Sequence, residues 1–543
     1  MSSPVVPAST APQTLPILRL DYFTGDAGEL AASLDPAHAN NSADADTIQL
    51  TNAGLARVLP SGKVIPDLAT WTVSSNHLAY TFRVRATARF SSGNVITAAD
   101  AAYSLKRALS PATASDSAPV YLVAIKGAAQ YSRGEAKDLE GVTVVSRRVL
   151  RIELSEPDAT FLAMLAYPTA DVLDARALTS SHAPVQLGDR LSHVCSSNRG
   201  AGPFEFVCWH DRSDYASSFY PVGQPPSYTL VPNPYYYGSR PRIEIVLPAI
   251  DSEEHAYRAY LNGKLDVTPI PPASLGQWTG KTQYLHYPTA TISFLVPNVE
   301  MAPFDDVHCR RALAYGIDRQ MLAQTVLAGM DEPIYDMVPT GVPGDVRGAG
   351  SPHLDLTAAR AELMQCAGRA TPVSLAYQAD TPQSDSVYNA IVAMMQDVGF
   401  NAKLDPHKPG AWVPCTSGNG ALSPCQIQLA ATTREYYHPA ARDYAGLLRC
   451  GSRDNVGAWC SAAYDRLLDR AALEWDPQSR AELYVQAQQL ALADGGLIPL
   501  LERDAHKLIK PYVRGLAGTV LSPNLLPRNG DWSQVAVAKR HGG

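Results

Sequence analysis

The chain of 543 residues contains no continuous apolar run of about 20 residues, so no segment of it reads as a membrane-spanning helix. It has no excess of positive charge. Lys and Arg number 45 against 52 Asp and Glu, a net charge of −7, which leaves no basic footprint for nucleic acid. Its 13 histidines form neither H-E-x-x-H nor any other paired motif. His182, His193, His407 and His438 fall in loop-like stretches, so no metal and no other cofactor is expected. No G-x-S-x-G elbow is present, and spacing assembles no Ser-His-Asp set, so no catalytic residue is assigned and the chain does not read as an enzyme. The stretch Gly276 to Thr282 resembles a phosphate loop but is one residue too short and follows no clear strand. The first residues, MSSPVVPASTAPQTLP, lack the charged-then-apolar layout of a secretory signal. Residues 1–15 are expected to be a disordered tail of a shortened chain.

Cysteine is sparse but even in number. All eight cysteines lie from Cys195 onward and none has C-x-x-C spacing, which argues against zinc and redox motifs. They fall as near neighbours in Pro-, Gly- and Ser-rich loops. The pattern predicts disulfides Cys195–Cys208, Cys415–Cys425 and Cys450–Cys460, with a longer Cys309–Cys366, in an oxidising compartment. Connectivity itself is not fixed by sequence, and buried free thiols are the competing reading.

A chain this long exceeds a single core, so two or three lobes are expected. Strand-like and helical runs alternate throughout, which indicates an α/β protein. Ile17 to Tyr22 reads as a strand. Tyr80-Thr81-Phe82-Arg83-Val84-Arg85 alternates as a half-buried strand should, and so does Val149 to Leu154. Thr97 with Asp100 reads as a cap opening a helix. Further helices are predicted over Glu253–Gly263, Val307–Val326, Leu356–Cys366, Ser384–Gly399 and Gln478–Ala493, with a strand at Leu265-Asp266-Val267.

These elements carry a resemblance. Pro66-Asp67-Leu68-Ala69 leading to Trp71, the Tyr80 to Arg85 strand, Phe90 to Gly93, and Thr97 to Ser104 resemble in order the peptide-binding extracytoplasmic proteins of ABC importers, bacterial family 5. The likeness starts at Leu34-Asp35-Pro36. It continues through Gly200-Ala201-Gly202-Pro203-Phe204, Asn262-Gly263-Lys264-Leu265-Asp266 and the run Pro303 to Arg319, then Tyr464-Asp465, Tyr484, Ala487-Gln488 and Ile498-Pro499. It implies a two-lobed periplasmic-binding-protein-like fold with a hinge and an extra domain. The division expected is 16–60 with 166–285 and 501–543 for lobe I, 61–165 for the extra domain and 286–500 for lobe II. It implies a monomer located outside the cytoplasm, anchored as a lipoprotein in a full-length form. Its partners would be an oligopeptide held between the lobes and an ABC permease with its ATPase.

The resemblance also nominates residues. In relatives an acidic residue in "W-x-x-D-x-x-x-P" grips the peptide amine; the matching run here is Thr432-Thr433-Arg434-Glu435-Tyr436-Tyr437-His438-Pro439, so the acid is Glu435 and Thr432 stands for the tryptophan. A carboxylate holds an ammonium through charge-assisted hydrogen bonds. Asn40, Asn41 and Ser42 are placed where relatives offer backbone to the peptide, and Ser293 and Phe294 lie on the strand entering the second lobe. Glu502 and Arg503 stand where relatives carry aromatics, and Tyr121 and Trp412 are candidate platforms, with core packing as the competing role. Two carboxylates, Glu435 and Glu502, predict a preference for arginine-containing peptides, unless Arg434 and Arg503 neutralise them. Other classes stay open. One is an accessory protein or enzyme of an antibiotic pathway, since the Ala- and Arg-rich usage resembles an actinobacterium and family members there lie in clavulanic-acid-type pathways. Others are a sensor, or a binder of a metal complex, haem or sugar.

Overall fold

The computed structural model describes residues 15–23, 35–39, 42–59, 63–179, 200–206, 227–250, 252–342, 344–345, 350–378, 382–407, 429–435, 441–452, 454–519, 522–527 and 530–538. Of the predicted features, the tail and the cysteines at 195, 208, 415 and 425 lie outside these residues. Two short strands, β1 (Ile17–Arg19) and β2 (Tyr22–Phe23), replace the single predicted strand. Helix α1 (Ser42–Thr51) follows.

An antiparallel sheet comes next, built from β3 (Ala69–Val73), β4 (Ala79–Val84), β5 (Val142–Ser146) and β6 (Val149–Glu153) in the order β3-β4-β6-β5. Alternation sets its two faces. Tyr80, Phe82 and Val84 are buried and Arg83 is exposed. Helix α2 (Ala98–Leu109) begins at a full capping box. The Thr97 hydroxyl accepts from the Asp100 amide at 3.4 Å, and the Asp100 carboxylate accepts from the Thr97 amide at 2.8 Å. Ala101, Leu105 and Ala108 of this helix share one core with Tyr80, Phe82, Leu150 and Ile152.

A second sheet combines β7 (Phe204–Phe206), β8 (Ser227–Pro232) and β9 (Glu244–Ile250), with β1 and β2 both parallel to β9. The glycines before β7 are there for close approach. A Cβ on Gly200 would lie 2.1 Å from the Thr51 carbonyl at the end of α1, and one on Gly202 would lie 2.5 Å from the same residue's backbone. The core of this sheet draws on Leu18, Phe204, Ile245 and Leu247 together with Val513, Trp532 and Val535 from the far end of the chain.

Helix α3 (Glu253–Leu261) and strand β10 (Val267–Pro269) lead to the longest strand, β11 (Tyr284–Pro297). Beyond it come helix α4 (Val307–Gly316), strand β12 (Asp331–Pro333), helix α5 (Leu356–Gln365), strand β13 (Val373–Gln378), helix α6 (Pro382–Val398), strand β14 (Ala402–His407) and strand β15 (Leu429–Glu435). Helices α7 (Ala462–Leu473) and α8 (Pro477–Ala493) precede the last long strand, β16 (Ile498–Ile509). Together the strands form one sheet in the order β10-β16-β11-β15-β13-β14, with β12 against β16.

One predicted helix is corrected. The helix expected over Val307–Val326 ends at Gly316, because Asp318 caps a fresh turn by accepting from the Met321 amide at 2.9 Å. The break turns Arg319 inward. Its guanidinium donates to the carbonyls of Pro499 (2.7 Å) and Pro352 (3.2 Å) and to the Ser351 hydroxyl (2.9 Å). The disulfides Cys309–Cys366 and Cys450–Cys460 form as predicted.

Candidate functional site

The site is built where β11, β15 and β16 run side by side. β11 and β16 pair antiparallel over 284–288 with 504–508, and again over 292–295 with 498–502. Between these stretches β11 advances four residues, from Pro288 to Ile292, while β16 advances two, from Asp504 to Glu502. Such a bulge bends and twists the ladder locally.

On the other side of β11, β15 pairs along its whole length, from Leu429 opposite Pro297 to Glu435 opposite Thr291. Its outer edge is different. There β13 meets only Leu429 and Ala430. Among the described residues, positions 431–435 therefore offer an edge whose backbone groups have no strand partner. An open edge of this kind is a template for an added strand. The nominated run Thr432, Thr433, Arg434, Glu435 occupies it.

Glu502 lies across β11 from this edge, opposite Ile292, whose other neighbour is Arg434. Its side chain is buried, and Oε1 accepts from the Thr340 amide at 2.9 Å. Burial pushes its carboxyl up to about 7; the Thr340 hydrogen bond opposes this, and the nearby Asp504 and Asp345 add to it. No cation is paired with it among the described residues. Arg503, its neighbour in sequence, is exposed and sits opposite Asp331. Burial raises Asp331 to about 6, and Arg503 partly opposes that.

The raised Glu502 value sets a pH dependence. The folded state favours the neutral carboxyl, so the cost of holding it is absent below about pH 4.5, grows with pH, and is full above about 7. A shift of this size corresponds to about 3 kcal/mol. Glu502→Gln, which keeps the acceptor for Thr340, is expected to raise the unfolding midpoint at pH 8 and leave it nearly unchanged at pH 4. Melts of the two proteins across that range check it; an equal shift at both pH values would show that ionisation is not what Glu502 costs.

The other nominated residues are placed as follows. Ser293 is half-buried on β11 and donates to the Leu501 carbonyl at 3.3 Å. Phe294 is buried among Ile292, Val338 and Trp459, so packing is its described role. Tyr121 stacks on Tyr167 with ring centroids 3.7 Å apart in a small core with Ile48 and Met164. Ser42 opens α1. Asn40, Asn41, Trp412 and Tyr436 lie outside the described residues. The sequence reading missed Thr340, Asp345 and Asp331, since only the fold brings them to β16.

Contacts also bridge the block around β3–β6 and the helices near the end of the chain. Arg442 donates to Asp158 (2.7 Å) and Thr160 (2.6 Å), the Ala159 amide donates to the Ala472 carbonyl (2.8 Å), and His77 stacks on Trp475.

Comparison with known proteins bears on the fold and the family. The chain is 26% identical over 523 residues to a probable deoxycholate-binding periplasmic protein of Escherichia coli, covering 94% of this chain and 93% of that one. It is 25% identical over 505 residues to the periplasmic murein peptide-binding protein of the same species, covering 89% and 88%. Its fold matches the crystal structure of Haemophilus influenzae OppA in complex with RPPGFSPFR at a TM-score of 0.74, with 19% identity over 98% of this chain and 100% of that one. The architecture is therefore a periplasmic-binding-protein-like α/β fold. The family described as bacterial extracellular solute-binding proteins, family 5, matches residues 63–422. That is most of the chain, and the protein belongs to this family.

Proposed function

We propose that this protein captures oligopeptides outside the cytoplasm and delivers them to an ABC importer, acting as a monomer that binds rather than transforms its ligand. The observation that carries the reading is the open edge at 431–435, where an extended peptide can add as a strand. Glu435, at the end of that edge, is proposed to hold the peptide amine. Closure is proposed to occur about the bulge at 288–292, bringing 286–500 against the remainder, with 61–165 as the extra domain. The relative named for murein peptide and the peptide-bound OppA support a peptide ligand. The relative named for deoxycholate makes an amphipathic steroid acid the comparison compound.

The Glu502 site supports cationic peptides. A guanidinium placed against it would favour the ionised carboxylate and release a proton, so affinity for arginine-bearing peptides should rise between pH 5 and pH 8 by up to about 100-fold. Calorimetric titrations with RPPGFSPFR and with a neutral nonapeptide, on the wild type and Glu502→Gln, test both levels. Binding of peptides but not deoxycholate is expected, with a selective loss for the arginine peptide in the variant. Deoxycholate binding with no response to any peptide overturns the peptide reading. Equal losses for both peptides overturn only the charge preference.

A further inference from the structure

A second cluster lies on the same two long strands, on the far side of the bulge. On β11, Tyr284 and His286 are two residues apart and share a face. On β16, Asp504 and His506 do the same. The register sets His286 opposite His506 and Pro288 opposite Asp504. One ligating atom from each of His286, Asp504 and His506 lies within 4.8 Å of the others. The two imidazoles stack with centroids 4.8 Å apart, and His286 Nε2 meets Asp504 Oδ2.

We infer that His286, Asp504 and His506 form a binding site for a divalent transition-metal cation, with zinc the best fit. Two imidazoles and one carboxylate are a donor set that zinc accepts, leaving a fourth position for water. A pair of ligands two apart on one strand with a third on its neighbour keeps all three on one face of the ladder. His506 is oriented for the task. Its Nε2–H donates to the Met330 carbonyl at 2.9 Å, the outer contact that ligating histidines ordinarily make, and this leaves the Nδ1 lone pair for a ligand. The Tyr284 hydroxyl meets that atom at 2.8 Å, and the cation would take its place there. Asp504 and His506 are buried while His286 is exposed, so the site has anchored ligands and an entry from solvent.

Asp306, Cys309 and Cys366 also converge, but those cysteines are joined to each other and offer no thiolate. The His286 site stands apart from the peptide edge. His286 and Thr291 are five positions apart on β11, at most about 17 Å along an extended strand. Zinc uptake is read without peptide present, so its outcome is separate from that of the peptide titrations.

The test is titration of the EDTA-treated, desalted protein with zinc chloride by calorimetry, repeated with cobalt chloride while recording visible absorption. One zinc per chain is expected, together with a higher unfolding midpoint and cobalt bands of a four- or five-coordinate site. His286→Ala, at an exposed position, should weaken binding by at least about 10-fold, and Asp504→Asn should do the same. No saturable uptake overturns the inference. So does uptake that His286→Ala and Asp504→Asn leave unchanged, since the ion would then bind elsewhere.

Discussion

Replacing Arg107 with Met should destabilise the protein by about 3–5 kcal/mol, because it strands a buried carboxylate. Arg107 Nη1 and Nη2 donate to the two oxygens of Asp35 at 2.8 and 2.6 Å, and both side chains are fully buried. Asp35 also accepts from the Ala37 amide at 3.1 Å, which holds the turn that follows it. Truncating the arginine removes both of its hydrogen bonds to that buried carboxylate and leaves the His38 imidazole, 4.0 Å away, as a weaker basic neighbour. The double replacement Asp35→Leu with Arg107→Met should recover most of the loss, since an apolar pair removes both charges together. Urea unfolding of the single and double variants measures it. A single variant within about 1 kcal/mol of wild type would show that the pair contributes little.

Loss of the Cys309–Cys366 disulfide is expected to cost nearly as much. It closes a loop of 57 residues and joins α4 to the end of α5. The chain-entropy argument gives about 4 kcal/mol for a loop of this length. The Cys450–Cys460 disulfide spans only 10 residues, and the same argument assigns it less, about 2.5–3 kcal/mol. Cys309→Ser with Cys366→Ser should therefore lower the melting midpoint more than Cys450→Ser with Cys460→Ser. Peptide mapping without reductant supplies the check on connectivity. Free thiols at Cys309 and Cys366 would contradict both the pairing and the oxidising compartment it implies.

Local features of this fold were legible because local physics sets them. The strand at 79–84 follows alternation, and α2 begins where Thr97 and Asp100 can cap each other. The run from Pro303 to Arg319 could be matched to the family, but its sequence did not show why those residues are there. In the fold Asp306 caps α4, Arg310 holds Asp494 at the end of α8, and Arg319 braces three backbone carbonyls and a hydroxyl. The Asp318 cap that turns Arg319 inward is also why one predicted helix proved to be broken. Glu435 was named from its motif, and the fold puts its strand at an open edge. Glu502 was named for replacing an aromatic, whereas its shifted carboxyl depends on burial that no local pattern reports. The cluster of His286, Asp504 and His506 was not legible at all. More than 200 residues separate its two strands, and only their register brings the ligands together.

The central claim is that a peptide binds here by adding a strand to β15. A crystal structure of the protein with RPPGFSPFR tests it most directly. The account predicts an extended peptide whose main-chain groups pair with residues 431–435 and whose amino terminus meets Glu435. A peptide bound elsewhere, or held there through side chains alone without main-chain pairing, would contradict it.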